Sequence, residues 1–273
     1  MSEERTAFRF RLKGGMEAGF TLRLGLERFS ERHIRETVER GETYEPEATR
    51  LLLAALQPGD LFIDVGAHVG YFTMLAAMAV GPEGAVAAIE ANPDNADRLE
   101  VNLADNGHAN VTLHRAAAGA SPGTAEFHIN ADNDGGHALW DPAAHPWNEK
   151  TKLSPEKISV PMTTLDAVAE GRTPRAIKID TEGAEHEVMK GAAEVLARRP
   201  PFIIAEANRF GLKQMGSSEA ALREHVTGLG YTTYAMNDRA PFFVPLLAGQ
   251  FLQADGVFNL LFSTDAAIRS LAG

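Results

Sequence analysis

The sequence predicts a doubly wound, mostly parallel α/β sheet, closed by an antiparallel edge and preceded by an N-terminal hairpin-and-helix extension. Three observations predict it. From Asp60 onward, short apolar runs alternate with helix-length segments, the pattern of parallel strands buried on both faces. The first run, Leu61–Val65, leads into Gly66-Ala67-His68-Val69-Gly70, a strand, glycine turn and helix start. A length of 273 residues with 44% hydrophobic content can bury one substantial core or two small ones.

Phe8, Phe10 and Leu12 alternate with Arg9 and Arg11, and after Gly14-Gly15 the alternation resumes through Phe20, Leu22 and Leu24. This predicts a hairpin. Ser30 reads as the N-cap of a helix ending near Gly41, and a second helix from Pro46 is stopped by Pro58-Gly59. The extension, 1–57, carries no clustered catalytic residue types, so it reads as a cover or homodimerisation element of the same domain. The main domain is expected over 58–263. Its strands are Leu61–Val65, Ala85–Ile89, Val111–His114, Ala176–Ile179 and 202–205, and its helices Tyr71–Val80, 95–105 and 184–197. Two late strands, 231–236 and 257–262, follow a helix at 219–229 and form the closing hairpin at the sheet edge. The segment 131–157 has no periodicity and is rich in Asp, Asn, Gly, His, Pro and Trp. A loop that long is read as a lid inserted over the substrate.

Composition excludes several classes. With 26 basic and 37 acidic residues the net charge is -11, and no run of Lys and Arg exists to bind nucleic acid or an anionic membrane. The absence of cysteine excludes disulfides and thiolate metal sites. No apolar run approaches the roughly 20 residues of a membrane span, and Met1 to Leu12 is too charged for a signal peptide. These features predict a soluble cytoplasmic protein.

The glycine turn departs from the dinucleotide pattern G-x-G-x-x-G, because His68 replaces the glycine that lets backbone approach a pyrophosphate. Asp64 would also repel a phosphate. A ligand with an ammonium group and no phosphate suits the turn, and S-adenosylmethionine (SAM) is such a ligand. Ligands of open α/β sheets lie beyond the carboxyl ends of the strands, where Asp64 and Glu90 should converge. Glu90 offers two oxygens for two ribose hydroxyls, and Asp64 is expected near the amino-acid portion. The expected cofactor contacts are Asp64, Gly66, Ala67, His68 and Gly70, then Glu90, Ala91 and Asn92, then Ala116 and Asp180 beyond the third and fourth strands. The plainer alternative is that the carboxylates only cap the following helices.

A second constellation is Lys178-Ile179-Asp180-Thr181-Glu182-Gly183-Ala184-Glu185. Lys178 lies inside an apolar strand and requires a carboxylate partner. Glu185 reads as a helix N-terminus residue. Asp180, Glu182 and Glu206 emerge at adjacent strand ends, where three carboxylates cannot all ionise cheaply. That is the pattern of a general base, with Asp180 first, Glu206 and Glu182 behind it, or of a divalent site (magnesium) held by Asp180 and Glu206. His137, Trp140, Trp147 and Asn208 are the candidate acceptor contacts. No histidine spacing supports a zinc site.

Taken together, Gly41-x-x-Tyr44-Glu45-Pro46-Glu47, Gly59-Asp60-x-x-Ile63-Asp64-Val65-Gly66-Ala67-x-x-Gly70-Tyr71, Glu90-x-Asn92-Pro93, Thr163-Thr164-Leu165-Asp166 and Lys178-Ile179-Asp180-x-Glu182-Gly183-Ala184-Glu185 resemble the FkbM-type family of SAM-dependent methyltransferases. The resemblance runs from about Gly41 to Asn208. It implies a Rossmann-like class I methyltransferase sheet, SAM as cofactor, and methyl transfer to a hydroxyl of a sugar, glycan or natural product. His68 departs from the Asn of many members. Two other classes stay open: a SAM-binding interaction protein without catalysis, and a nucleotide-dependent oxidoreductase.

Overall fold

The computed structural model describes residues 3–252 and 257–271. Met1, Ser2 and 253–256, which fall inside the expected ranges 1–57 and 58–263, lie outside the described residues.

Strand β1 (Glu3–Arg11) pairs antiparallel with β2 (Glu17–Gly25), setting Phe8 opposite Phe20. Alternation buries Phe8, Phe20, Leu22 and Leu24 on one face, and the Phe8 and Phe20 rings stack at 4.9 Å. Helices α1 (Phe29–Glu39) and α2 (Pro46–Ala55) follow. Ser30 does not cap α1: the cap position is Arg28. Ser30 is drawn off by a later loop, its N–H donating to Asp134 at 2.8 Å and its hydroxyl to Asn133 at 2.5 Å.

The winding then begins with β3 (Leu61–Val65), α3 (Tyr71–Val80), β4 (Ala85–Ile89), α4 (Pro93–Asn106) and β5 (Val111–His114). Next comes a feature the sequence reading omits. β6 (Ala117–Ala118), β7 (Gly123–Ile129) and β8 (Glu156–Thr163) make a separate three-stranded sheet in the order β6-β8-β7, with a short helix α5 (Glu149–Leu153) between β7 and β8. Its own buried cluster is small, Ala117, Phe127 and Val160, while Ala118 packs into the core of the main sheet, so it gives little apolar signal of its own. The 131–157 segment is therefore the connection between two paired strands.

The chain continues through α6 (Leu165–Ala169), β9 (Ala176–Ile179), α7 (Glu185–Lys190), α8 (Ala193–Ala197), β10 (Phe202–Glu206), α9 (Arg209–Gln214), α10 (Glu219–Gly228), β11 (Thr232–Met236), β12 (Phe243–Pro245), β13 (Asn259–Ser263) and α11 (Asp265–Ser270). The expected helix 184–197 is broken at Gly191. Backbone presses so close there that a Cβ on Gly191 would lie 2.0 Å from the Gly119 carbonyl.

The main sheet runs β12-β11-β13-β10-β9-β3-β4-β5, with β10, β9, β3, β4 and β5 parallel. β11 and β13 pair antiparallel as expected, but β13 inserts between β10 and β11, and β12 extends the edge beyond them. Side chains alternate between two cores. Phe62, with Leu22, Leu51 and Leu75, faces the hairpin side, whereas Ile63 and Val65 pack with Ile177, Val188 and Leu222. Fully burying one such side chain contributes about 1.5–3 kcal/mol. The hairpin shares the first core and is tied to α4 through Arg23 N–H to Asn102 at 2.8 Å. Among the described residues no helix is long and apolar enough to cross a membrane.

Candidate active site

Parallel winding carries the ends of β3, β4, β9 and β10 to one cleft of about 890 Å³, part of it open to solvent. The glycine turn forms one wall. Gly66 has φ 80°, and a Cβ there would lie 1.8 Å from the Asp180 carbonyl. Its N–H and that of Ala67 donate to the Ile89 carbonyl at 2.9 and 3.1 Å. Gly70, at φ 97°, is equally constrained, since a Cβ would lie 2.3 Å from Leu99. His68 takes a left-handed φ of 51° and lines the cleft.

Glu90 lines the cleft with each oxygen anchored, one by the His68 N–H and the other by the Asn92 N–H, both at 2.8 Å. Burial raises its carboxyl above the ordinary range. Each oxygen keeps a further lone pair for a ligand hydroxyl. Asn92 itself is buried and caps α4. Asp64 is placed differently from its neighbours: it is buried below the turn, accepts from Thr73 at 2.6 Å, and is no part of the cleft wall. Burial pushes it up to about 6. Ala91, Ala116, Phe127 and Leu139 supply an apolar end beside Glu90.

The other end is acidic. Buried Lys178 donates to Asp180 at 2.6 Å, lies 3.6 Å from Glu45, and sits 4.5 Å from the Phe72 ring centre. Burial alone would lower its pKa, but Asp180 and Glu45 hold it well above the usual lysine value. Glu182 has φ 55° and accepts from Asn208 at 2.6 Å; burial, then Asp180, pushes it up to about 8. Glu206 is raised well above the usual range by burial, then by Asp180 and Glu182, and its Oε2 is buried without a partner. Glu185 serves its helix, accepting from the Thr181 and Gly183 N–H groups at 3.0 Å.

The loop contributes from above. His137 lines the cleft; its Nδ1 accepts from the Asn130 N–H at 2.9 Å, and burial pushes its pKa down to about 4, so the ring is neutral. Trp140 is buried and donates its indole N–H to the Glu182 carbonyl at 2.6 Å. Trp147 is 83% exposed and outside the cleft wall. Asn208 caps α9 while holding Glu182. Asp134 pins the loop to the turn, 3.0 Å from His68 Nε2, and its carbonyl accepts from Asn95 at 2.9 Å.

Sequence reasoning missed Ser30, Tyr44 and Glu45, all in the cleft wall. The extension is thus no mere cover. The available signal was Tyr44-Glu45-Pro46, where Glu45 holds a left-handed φ of 39° and accepts from Asn259 at 2.9 Å.

The residues fit a cationic cofactor. A glycine cradle, a carboxylate for ribose hydroxyls and several carboxylates around one lysine suit a sulfonium and an ammonium, and they disfavour a pyrophosphate. They do not fit a divalent metal at Asp180 and Glu206. Lys178 already occupies an Asp180 oxygen, and among the described residues the ligand atoms that gather within 4.8 Å belong to Glu31, His68 and Asp134. There, Arg28 and Arg98 already neutralise Glu31, each at 2.5 Å.

The sequence matches the family described as Methyltransferase FkbM domain over residues 64–233. A hexuronic acid methyltransferase, AglP, of Haloferax volcanii is 29% identical over 166 residues, 59% of this chain and 62% of that one. An arsenite methyltransferase of Halobacterium salinarum is 33% identical over 69 residues, 25% of this chain and 18% of that one. The chain thus spans less than two thirds of either relative. Among solved structures, a methyltransferase FkbM from Methylobacillus flagellatus aligns with a TM-score of 0.45 at 15% identity, over 88% of this chain and 56% of that one.

Proposed function

This chain belongs to the FkbM methyltransferase family, and from that premise we propose that it is a SAM-dependent O-methyltransferase acting on a hydroxyl of a sugar-type small molecule. The observation that carries the reading is the sharing of one cleft by the glycine turn with Glu90 and by the Asp180, Glu182 and Glu206 cluster. The sugar class is supported by the hexuronic acid named for the Haloferax relative.

When bound, SAM supplies an electrophilic methyl on a cationic sulfur. The chain's part is to align an acceptor oxygen with it and to remove a proton. Glu90 would take the ribose hydroxyls, and Ala91, Ala116 and Phe127 the base. Asp180, oriented by Lys178, would accept the acceptor's proton. Glu182, pushed up to about 8 by burial and Asp180, carries a proton near neutrality and would act as a hydrogen-bond donor, while burial, then Asp180 and Glu182, raise Glu206 in the same direction. Mass spectrometry of the copurified ligand, then a radiolabelled-methyl screen of glycan and metabolite extracts, tests the reading; no transfer to any acceptor pool would leave a binding protein.

Glu90→Ala should weaken binding of S-adenosylhomocysteine about tenfold or more, the loss of charge-assisted bonds worth on the order of 1.5–3 kcal/mol. Unchanged affinity in calorimetry would refute the ribose assignment.

The acidic cluster also sets a pH dependence. Glu182 (about 8) and Glu185 (about 7) hold protons in the fold that the unfolded chain has already lost. Their stability contribution is complete below the usual value of 4.5 and is lost as pH rises through about 8. The histidines lowered by burial are neutral in both states above about pH 7 and do not oppose this. Over the window from about pH 7 to about 8, where only these carboxyls differ between the two states, the free protein should therefore lose stability and then level off. Denaturation midpoints across that window read the effect; a midpoint that does not fall would contradict the arrangement.

A further inference from the structure

A cofactor whose ribose sits at Glu90 must carry its amino-acid portion across the glycine turn. The strands run in the order β9-β3-β4, so that portion reaches the end of β9, where Tyr44 and Glu45 at the start of α2 join the same cleft wall. Its α-ammonium needs acceptors there, since a cation taken out of water must be paired. Asp64, the carboxylate that the sequence assigns to it, is buried below the turn, accepts from Thr73 and is outside the cleft wall. Neighbouring carboxylates are already committed. Asp180 takes the Lys178 ammonium, Glu182 takes the Asn208 amide, and Glu185 takes the backbone N–H groups of Thr181 and Gly183.

Glu45 is placed differently. It holds a left-handed φ of 39°, which a non-glycine residue keeps only where its surroundings impose it. It stands at the N-cap position of α2, yet its side chain makes no capping bond. Its carboxylate accepts instead from Asn259 Nδ2 at 2.9 Å and lies 3.6 Å from Lys178 Nζ, too far for a hydrogen bond. Asn259 is the register partner of Glu206 across β13 and β10, which ties the extension's carboxylate to the sheet end that presents Glu206. Asn259 Oδ1 and Glu206 Oε2 are both buried without a hydrogen-bond partner. The Tyr44 hydroxyl marks the same spot, for burial, then Glu45, Asp180 and Glu206, raise it well above its ordinary value. Acceptors thus outnumber donors around Glu45. A positively charged group with three N–H donors satisfies them.

We propose that Glu45, and not Asp64, binds the α-ammonium of the methyl donor, so that the N-terminal extension completes the cofactor site. This rests on the methyl-transfer reading and adds a binding residue from outside the strand–turn–helix unit. It also gives the backbone strain at Glu45 a function: the turn that deprives α2 of a side-chain cap delivers a carboxylate to the cofactor.

Calorimetry with two probes tests it: S-adenosylhomocysteine, and methylthioadenosine, which keeps the adenosine and the sulfur but has no amino acid. The wild-type protein should bind S-adenosylhomocysteine the more tightly. Glu45→Gln should weaken S-adenosylhomocysteine about tenfold or more and change methylthioadenosine by less than about twofold, as the loss of charge-assisted bonds to one ammonium predicts. Lys178 keeps its bond to Asp180 in this variant, and the methylthioadenosine affinity reports that the cleft is intact. Equal losses for the two probes would make Glu45 a structural residue and overturn the proposal. So would an unchanged S-adenosylhomocysteine affinity, or a wild-type protein that binds both probes equally. If the wild-type protein binds neither, the methyl-transfer reading itself falls, and the role of Glu45 with it.

Discussion

Asp180→Asn is expected to lower turnover by about 10²–10⁴-fold, the usual contribution of a positioned general base. The substitution keeps shape and removes the charge at the end of β9, where the acceptor proton would go. It also leaves buried Lys178 with Glu45, 3.6 Å away, as its remaining carboxylate partner. A stability loss of order 3 kcal/mol should therefore accompany the loss of rate. The two effects separate in Lys178→Met/Asp180→Asn, which removes both charges: its denaturation midpoint should recover while its turnover stays low. Rates on an acceptor found in the methyl-transfer screen decide the matter. Near-normal turnover in Asp180→Asn would pass the role to Glu206 or Glu182.

Gly66→Ala should be the most damaging single methyl group in the chain. The added Cβ would meet the Asp180 carbonyl at 1.8 Å while the backbone holds φ 80°. β3 and β9 are neighbours in the sheet, so relief requires parting them at the cleft. A loss of at least about 3 kcal/mol combines left-handed strain with overpacking, and S-adenosylhomocysteine affinity should fall by more than about 100-fold. A urea titration with wild-type midpoint, or calorimetry with wild-type affinity, would show that the turn yields more easily than its geometry indicates.

The parallel sheet was legible because its strands are buried on both faces and leave unbroken apolar runs. Asp64 and Glu90 look equivalent in sequence, each ending a strand, yet only Glu90 reaches the cleft. Thr73, nine residues on in α3, pulls Asp64 inward, and nothing in its own segment announces that. The three-stranded side sheet was hidden because its own buried cluster is just Ala117, Phe127 and Val160. Ser30 was misread because the acceptors that claim it, Asn133 and Asp134, lie about a hundred residues on. Lys178 was read correctly as paired, since an isolated ammonium in an apolar strand has no other stable outcome, but its second partner comes from the extension. Local pattern locates strand ends; which side chain faces the ligand is decided by distant contacts.

The 131–157 segment consists of two stretches in series. Its first part, through Asp134 and His137, is locked to Ser30, His68 and Asn95 and lines the cleft. Its second part, from Trp140 to Leu153, exposes Trp147 but buries Trp140 and Thr151, and the Thr151 N–H donates back to Asp132 of the first part at 2.9 Å. For anyone grafting loops to redirect such an enzyme, the boundary falls near the pairing of His128 with Ala138. A graft beyond it must therefore keep Trp140 on the Glu182 carbonyl and Thr151 on Asn130 and Asp132, or the inner stretch loses its support along with the outer one.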